Sequence, residues 1–373
     1  MIRFFATAAK GTEPSLRDEL RELRLRGVRA DRGGVHFAGE WWDGHRACFE
    51  SRIASRVLAE LATFDAKDGA SLYEGVATID FSPFVSPERT LAVKATTKNT
   101  PGLSHSHFVE QKTKDAIVDR MRQKLGARSS IDLDDPDLRV SVRVHDGKAT
   151  VYVDLSGEAL HRRGWRTLVA EASLKETLAA TLLRMSGWDR VRPLIDPMCG
   201  AGTIAIEGAL WSRDVAPGLF RERFGFERWP MHDETLREKM AERRASARAR
   251  VKSEGPKIIA RDLDPAMTEI GRKNARAANA HVLFEYAPVR TLGPTSPPGV
   301  IVTNPPWGDR LAADVEAWRD LGAVLDRLRD HGACVLAGTP EILKSIPRKP
   351  SRMHVVFNGP IECRALVYEP SSP

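Results

Sequence analysis

Residues 191–195, VRPLI, run directly into DPMCGAGT and then TIAIEGALW, and this succession narrows the fold more than any other stretch of the chain. A short apolar run bounded by turn residues reads as a buried strand, and the segment after it has helical patterning. Strand, glycine turn and helix in that order open a doubly wound nucleotide-binding sheet. Gly200 and Gly202 admit positive φ and close approach of a ligand to the backbone. The GAG turn is shorter than GxGxxG and lacks the Lys-Ser/Thr of a phosphate loop, which argues against a dinucleotide or triphosphate cradle. A nucleoside cofactor with an amino-acid tail and no phosphates suits it better. The expected cofactor contacts are Asp196, Pro197, Cys199, Gly200, Ala201, Gly202 and Thr203.

Two further strand ends extend the argument. Lys257–Ala260 reads as a strand closing on Asp262, followed by a helix with Pro265 in its first turn. Asp262 is placed to accept both ribose hydroxyls of a nucleoside, while Asp264 is placed to cap the helix. The strand 299–302 leads into TNPPW. Two prolines remove two amide donors and hold the backbone extended. Asn304 and the Pro305 carbonyl then offer two acceptors for the hydrogens of an exocyclic amine. Trp307 offers a π face for a base. The expected catalytic group is therefore Asn304, Pro305, Pro306 and Trp307. Asp309 serves either the base edge or a pair with Arg310. Together the strings describe a site that holds an adenosyl cofactor beside a flat, amine-bearing target, which points to methyl transfer onto a planar nitrogen.

RGWR (163–166), SLKETLAATLL (173–183), DPMCGAGTIAIEGAL (196–210), APGLFRERFGFERWP (216–230) and FNGPIECRALVYE (357–369) resemble the bacterial 23S rRNA guanine-N2 methyltransferases. That activity occurs as the N-terminal half of a bifunctional enzyme in enterobacteria. Residues 112–126, 140–157 and 160–166 resemble a THUMP domain, a module that binds structured RNA. The resemblance implies an α/β fold: a Rossmann-like class I methyltransferase domain on a mixed seven-stranded sheet, preceded by an α+β ferredoxin-like and THUMP region. It implies S-adenosylmethionine as cofactor, structured RNA as partner (rRNA ahead of tRNA), and guanine N2 as acceptor. Two positions depart from the usual pattern. Trp307 stands where a Tyr is more common, and Ala287-Pro288-Val289 lacks the acidic residue that often meets the adenine amine.

The domains are expected at 1–62 (ferredoxin-like), 63–164 (THUMP) and 165–373 (methyltransferase), with the first two packed together. The chain has 373 residues, enough for two or three domains. Its net charge of +7 fits a polyanionic partner, although neither half is a basic tail. Four scattered cysteines without a CxxC pair argue against structural zinc or a disulfide framework, and no metal is expected. Cys199 reads as a small buried side chain. The absence of a long apolar run or leader gives the expectation of a cytoplasmic enzyme without membrane contact; oligomeric state is not legible. Cys48–Leu61 reads as a helix. Phe220–Trp229, with three arginines and four aromatics, reads as a lid or hydrophobic latch. The charged helix 233–253 after it reads as a solvated face or an RNA-backbone contact. The alternatives are a tRNA guanine-N2, DNA adenine-N6 or protein glutamine-N5 methyltransferase, and, from another class, a non-catalytic RNA-binding protein with a vestigial catalytic domain.

Overall fold

Alternation of apolar and polar residues builds the first sheet. In β7 (Leu138–His145), Leu138, Val140, Val142 and Val144 are buried and the residues between them are not, as period-two geometry requires. β8 (Lys148–Asp154) returns antiparallel through Asp146-Gly147, both at positive φ (+50° and +74°), the conformation that a tight hairpin demands. The computed structural model describes residues 1–168, 173–306, 311–338 and 341–371. Among these, β7 and β8 join β1 (Ile2–Thr7), β2 (Arg26–Asp31), β3 (Gly34–Gly39), β4 (Arg56–Asp65), β5 (Thr90–Lys98) and β6 (Ser130–Ile131). The order is β2-β3-β1-β4-β8-β7-β5-β6, one continuous eight-stranded sheet. Residue 62, the expected domain boundary, falls inside β4. That strand pairs with β1 through Arg56–Ala59 and with β8 through Leu58–Asp65, so backbone hydrogen bonding crosses the boundary.

The expected helix 48–61 is corrected by the structure. The helix runs Trp41–Glu50, and Arg56–Asp65 is β4. Val57, Leu58 and Ala59 are buried in succession because this strand is covered on both faces. Such a run carries no alternation, and periodicity cannot separate it from a buried helix.

The second sheet has the expected seven strands: β9 (Leu194–Asp196), β10 (Ile258–Asp262), β11 (Leu283–Tyr286), β12 (Val300–Thr303), β13 (Gly332–Ala337), β14 (Arg352–Asn358) and β15 (Ile361–Tyr368). Their order is β11-β10-β9-β12-β13-β15-β14. The first five are parallel, while β15 runs antiparallel to both β13 and β14. The sheet is therefore mixed and doubly wound. The chain proceeds from β9 outward to β11, then returns to the other side of β9 as β12. That reversal opens a crevice at the carboxyl ends of β9 and β12.

The segment 220–229 joins the two halves. Phe224, Phe226 and Trp229 belong to the core of the first sheet, not of the second. Phe226 stacks on His45 at 3.9 Å between ring centroids, and Trp229 meets Trp41 and Phe84 edge-on. Of the two readings from sequence, the latch describes these contacts. The following helix, Glu234–Ala249, buries Met240 and Ala247 in the same core. Arg243 and Arg250 converge on Glu50 of the N-terminal half, and Arg244 pairs with Glu227. A deeper tie runs through Arg163. It donates to Glu207 at 3.3 Å and to the Arg52 and Leu160 carbonyls. Glu207 lies on the helix that follows the glycine turn. No described helix is long and apolar enough to cross a membrane.

Candidate cofactor and acceptor site

Three adjacent parallel strands end on the residues singled out from sequence. β9 closes on Asp196, β10 on Asp262, and β12 on Thr303 just before Asn304. The strands pair directly, Ala260 opposite Asp196 and Ile301 opposite Ile195. Strand pairing thus brings together strings more than a hundred residues apart. Asp196, Cys199, Gly200, Ala201, Thr203 and Asn304 line one cleft, with Leu174, Ile204 and Met267 supplying apolar wall.

The turn is shaped by its glycines. Gly200 and Gly202 sit at φ +51° and +80°, a region that costs L residues free energy. A Cβ on Gly202 would also approach the Phe284 ring to 2.9 Å. The Gly200 amide donates to Asp262 Oδ2 at 2.7 Å, and Asp262 Oδ1 accepts from the Asp264 amide at 2.9 Å. Asp262 therefore closes the turn onto β10, and each oxygen retains a further lone pair for a ligand. Asp264 accepts from the Ala266 amide and caps the helix Pro265–Ala277.

The cleft is acidic at its base. Burial pushes the Asp196 carboxyl up to about 7, and nearby Asp262 adds to the shift, against the Thr303 hydroxyl and the Met198 amide. Burial likewise raises Asp262. Two carboxylates crowded in a low-dielectric setting favour a cationic guest. The Cys199 thiol is driven well above its usual range by burial, then by Asp196 and Asp262, which leaves it unreactive. A positive-φ turn, paired acids and a half-open apolar wall fit a nucleoside bearing a sulfonium and an amino-acid tail. Leu263 and Tyr286, both exposed, flank Asp262 and offer apolar faces to a purine. No acidic residue stands in Ala287-Pro288-Val289.

On the acceptor side, Asn304 is half-buried, Pro305 buried and Pro306 exposed. Trp307, Asp309 and Arg310 lie outside the described residues. The fully buried Trp318, on helix Leu311–Arg327, donates through Nε1 to the Pro306 carbonyl at 2.8 Å. Sequence reading misses this residue. A lone Trp at a helical position signals packing, and nothing local says which carbonyl it meets. Arg166 enters the sequence reading only within a resembling string. In the fold it bonds Glu176 at 2.8 Å, the Leu174 carbonyl at 3.1 Å and the Thr203 hydroxyl at 3.0 Å.

Two other cavities stand apart. One of about 480 Å³ is lined by Pro193, Lys257, Arg261, Glu285 and Thr291–Pro297; it shares no residue with either string, and Pro193 and Lys257 stand at the amino ends of β9 and β10. The other, about 1000 Å³, lies between the two halves and is rich in arginine: Arg56, Arg139, Arg162, Arg221, Arg223 and Arg228. Arg56, Arg162, Arg223 and Arg228 pair with Asp154, Glu158 and Asp135, whereas two of the six are held by carbonyls. Arg221 donates to four backbone oxygens, and Arg139 to the Asp134 carbonyl. His161 in this cleft is pushed down to about 4, first by burial and then by Lys175, Arg162, Arg163 and Arg56.

Comparison with known proteins agrees with this architecture. Residues 163–366 match the family model for the RMKL-like methyltransferase domain, residues 66–154 that for the THUMP domain, and residues 3–58 that for the RlmL ferredoxin-like domain. The ribosomal RNA large subunit methyltransferase K/L of Syntrophotalea carbinolica is 40% identical over 99% of this chain and 53% of its own length. The chain thus spans about half the length of the curated relatives it matches. The crystal structure of SMU.472 complexed with SAH has a TM-score of 0.89 at 26% identity, covering 100% of this chain and 99% of that one. A structure from Listeria monocytogenes, named as a predicted N6-adenine-specific DNA methylase, reaches 0.88 at 26% identity over 99% and 96%.

Proposed function

The chain belongs to the RMKL-like methyltransferase family, and from that premise we propose that it methylates guanine N2 in structured RNA, 23S rRNA ahead of tRNA. The observation that carries the reading is one cleft lined by both the glycine turn after Asp196 and the Asn304 strand end. S-adenosylmethionine is the cofactor, and when bound it supplies a methyl group already activated by attachment to a sulfonium. Asp196, Pro197, Cys199, Gly200, Ala201, Gly202 and Thr203 form its turn, Asp262 meets the ribose, and Leu263 and Tyr286 flank the adenine.

On the acceptor side the work is positioning and charge placement. The Asn304 side-chain oxygen and the Pro305 carbonyl accept the two amine hydrogens. This turns the nitrogen lone pair toward the cofactor and offsets the positive charge that develops on the amine. Pro306 holds the backbone extended, and Trp318 anchors its carbonyl from beneath. Trp307 supplies, by residue type, the stacking face. The THUMP match and the arginine-lined cleft favour RNA over DNA or protein as acceptor. The Arg139 guanidinium, held by the Asp134 carbonyl, keeps its charge for a phosphate.

The test is methyl transfer to separate rRNA, tRNA and DNA pools, followed by mass spectrometric mapping of the modified nucleotide. N2-methylguanosine in rRNA is the expected product; N6-methyladenine, or label confined to DNA, overturns the reading. Asn304→Ala should abolish transfer and leave cofactor affinity within about threefold.

A further inference from the structure

We propose that Arg166 is the anchor for the carboxylate of the cofactor's amino-acid tail. The inference rests on the cofactor assignment above and adds a contact outside the glycine turn. Among the described residues, Arg166 is the guanidinium whose side chain donates to groups lining the cleft: the Leu174 carbonyl and the Thr203 hydroxyl. Those bonds use Nη2, and Nε is taken by Glu176 at 2.8 Å. Nη1 is buried and has no hydrogen-bond partner. A buried cationic donor left unmatched is costly, and native proteins seldom keep one without a use.

The surroundings fix the group while leaving that nitrogen spare. The guanidinium lies 5.3 Å from the Trp165 ring centroid, and Trp165 is itself buried. Glu176 is buried at the start of its helix. An arginine already held on three sides loses little side-chain freedom when it takes one more partner. The cofactor tail is a zwitterion. Asp196 can meet its ammonium, but that acid cannot serve its carboxylate. A planar guanidinium matches a carboxylate in charge and geometry. Because Nη2 also bonds the first residue of the helix after the turn, a carboxylate held here ties the tail to that helix start, where the backbone dipole favours negative charge.

Calorimetric titration of the full chain tests this with two ligands that differ by the carboxylate alone, S-adenosylmethionine and its decarboxylated form. Wild type should prefer the carboxylate-bearing ligand. Arg166→Gln should weaken S-adenosylmethionine about 10- to 100-fold, as expected for losing a charged hydrogen bond, and change the decarboxylated ligand by less than about threefold. Arg166→Lys, which keeps the charge, should recover some of the loss. Equal weakening of both ligands would assign Arg166 a purely structural role and overturn the proposal, as would unchanged affinity in the Gln variant. If neither variant folds, equal binding of the two ligands by wild type overturns it. Failure of wild type to bind either ligand would instead sink the cofactor assignment.

Discussion

Replacing Asp196 by Asn isolates the electrostatic cost of building the cleft. The Asp196 carboxyl is shifted by burial from 3.8 in an ordinary aspartate to about 7 in the folded chain. The difference is about three units, and at 1.36 kcal/mol per unit it corresponds to ~4 kcal/mol. The sign follows from proton counting. Below pH ~4 both states hold the proton. Between about 4 and 7 the unfolded chain has lost it while the folded chain keeps it, so stability falls as pH rises. Above 7 both states are ionised, and the full penalty persists without further slope. The Asn side chain carries no charge at any of these values. Urea unfolding of both proteins without cofactor, at half-unit steps from pH 4.5 to 8.5, measures the effect. The variant should gain on wild type by up to ~4 kcal/mol across the window and then hold a constant offset. Titrations shared by both proteins cancel in the difference. Parallel curves over the whole range would refute the argument, since they would mean that Asp196 ionises in the folded chain as readily as in the unfolded one.

Other perturbations separate the remaining features. Trp318→Phe removes the bond to the Pro306 carbonyl and should slow turnover about tenfold or more, the effect of a slightly misplaced acceptor group. Cofactor affinity measured by calorimetry should not move. Trp229→Ala empties a pocket between Trp41 and Phe84 and should cost ~3–5 kcal/mol in denaturant unfolding, although the residue lies away from the cleft. Arg139→Gln should weaken RNA binding and lower the slope of log K against log salt by about 1. An unchanged slope would remove the arginine-lined cleft from the RNA path.

The residues proposed for the site are signalled more locally in the sequence than the frame around them, for physical reasons. DPMCGAGT and TNPPW act through turn geometry and backbone chemistry that each short string carries in itself. Asp264 is readable as a cap because Asp-Pro at a helix entry is a local signal. Residues 56–61 mislead because a strand covered on both faces leaves no alternation to detect. Trp318 and Arg166 escape because their partners come from distant stretches of the chain. The arginines of 221–228 are visible as a cluster. Whether they meet carbonyls, carboxylates or phosphates is decided only when the two halves pack together.

The latch at Phe224–Trp229 also bears on the order in which the protein can be made. Translation delivers the whole first sheet before these aromatics exist as polypeptide. Until they arrive, Trp41, His45, Phe49 and Phe84 line an unfilled socket in an otherwise complete layer. Chains grow at about 5–20 residues per second and domains tend to fold as they emerge, so this socket stays open for several seconds on the ribosome. The half that bears the THUMP match then reaches its final stability only after the start of the methyltransferase half has been synthesised. A chain broken between the two would leave a sticky, half-closed fragment for proteases to clear, not an idle, fully folded N-terminal module.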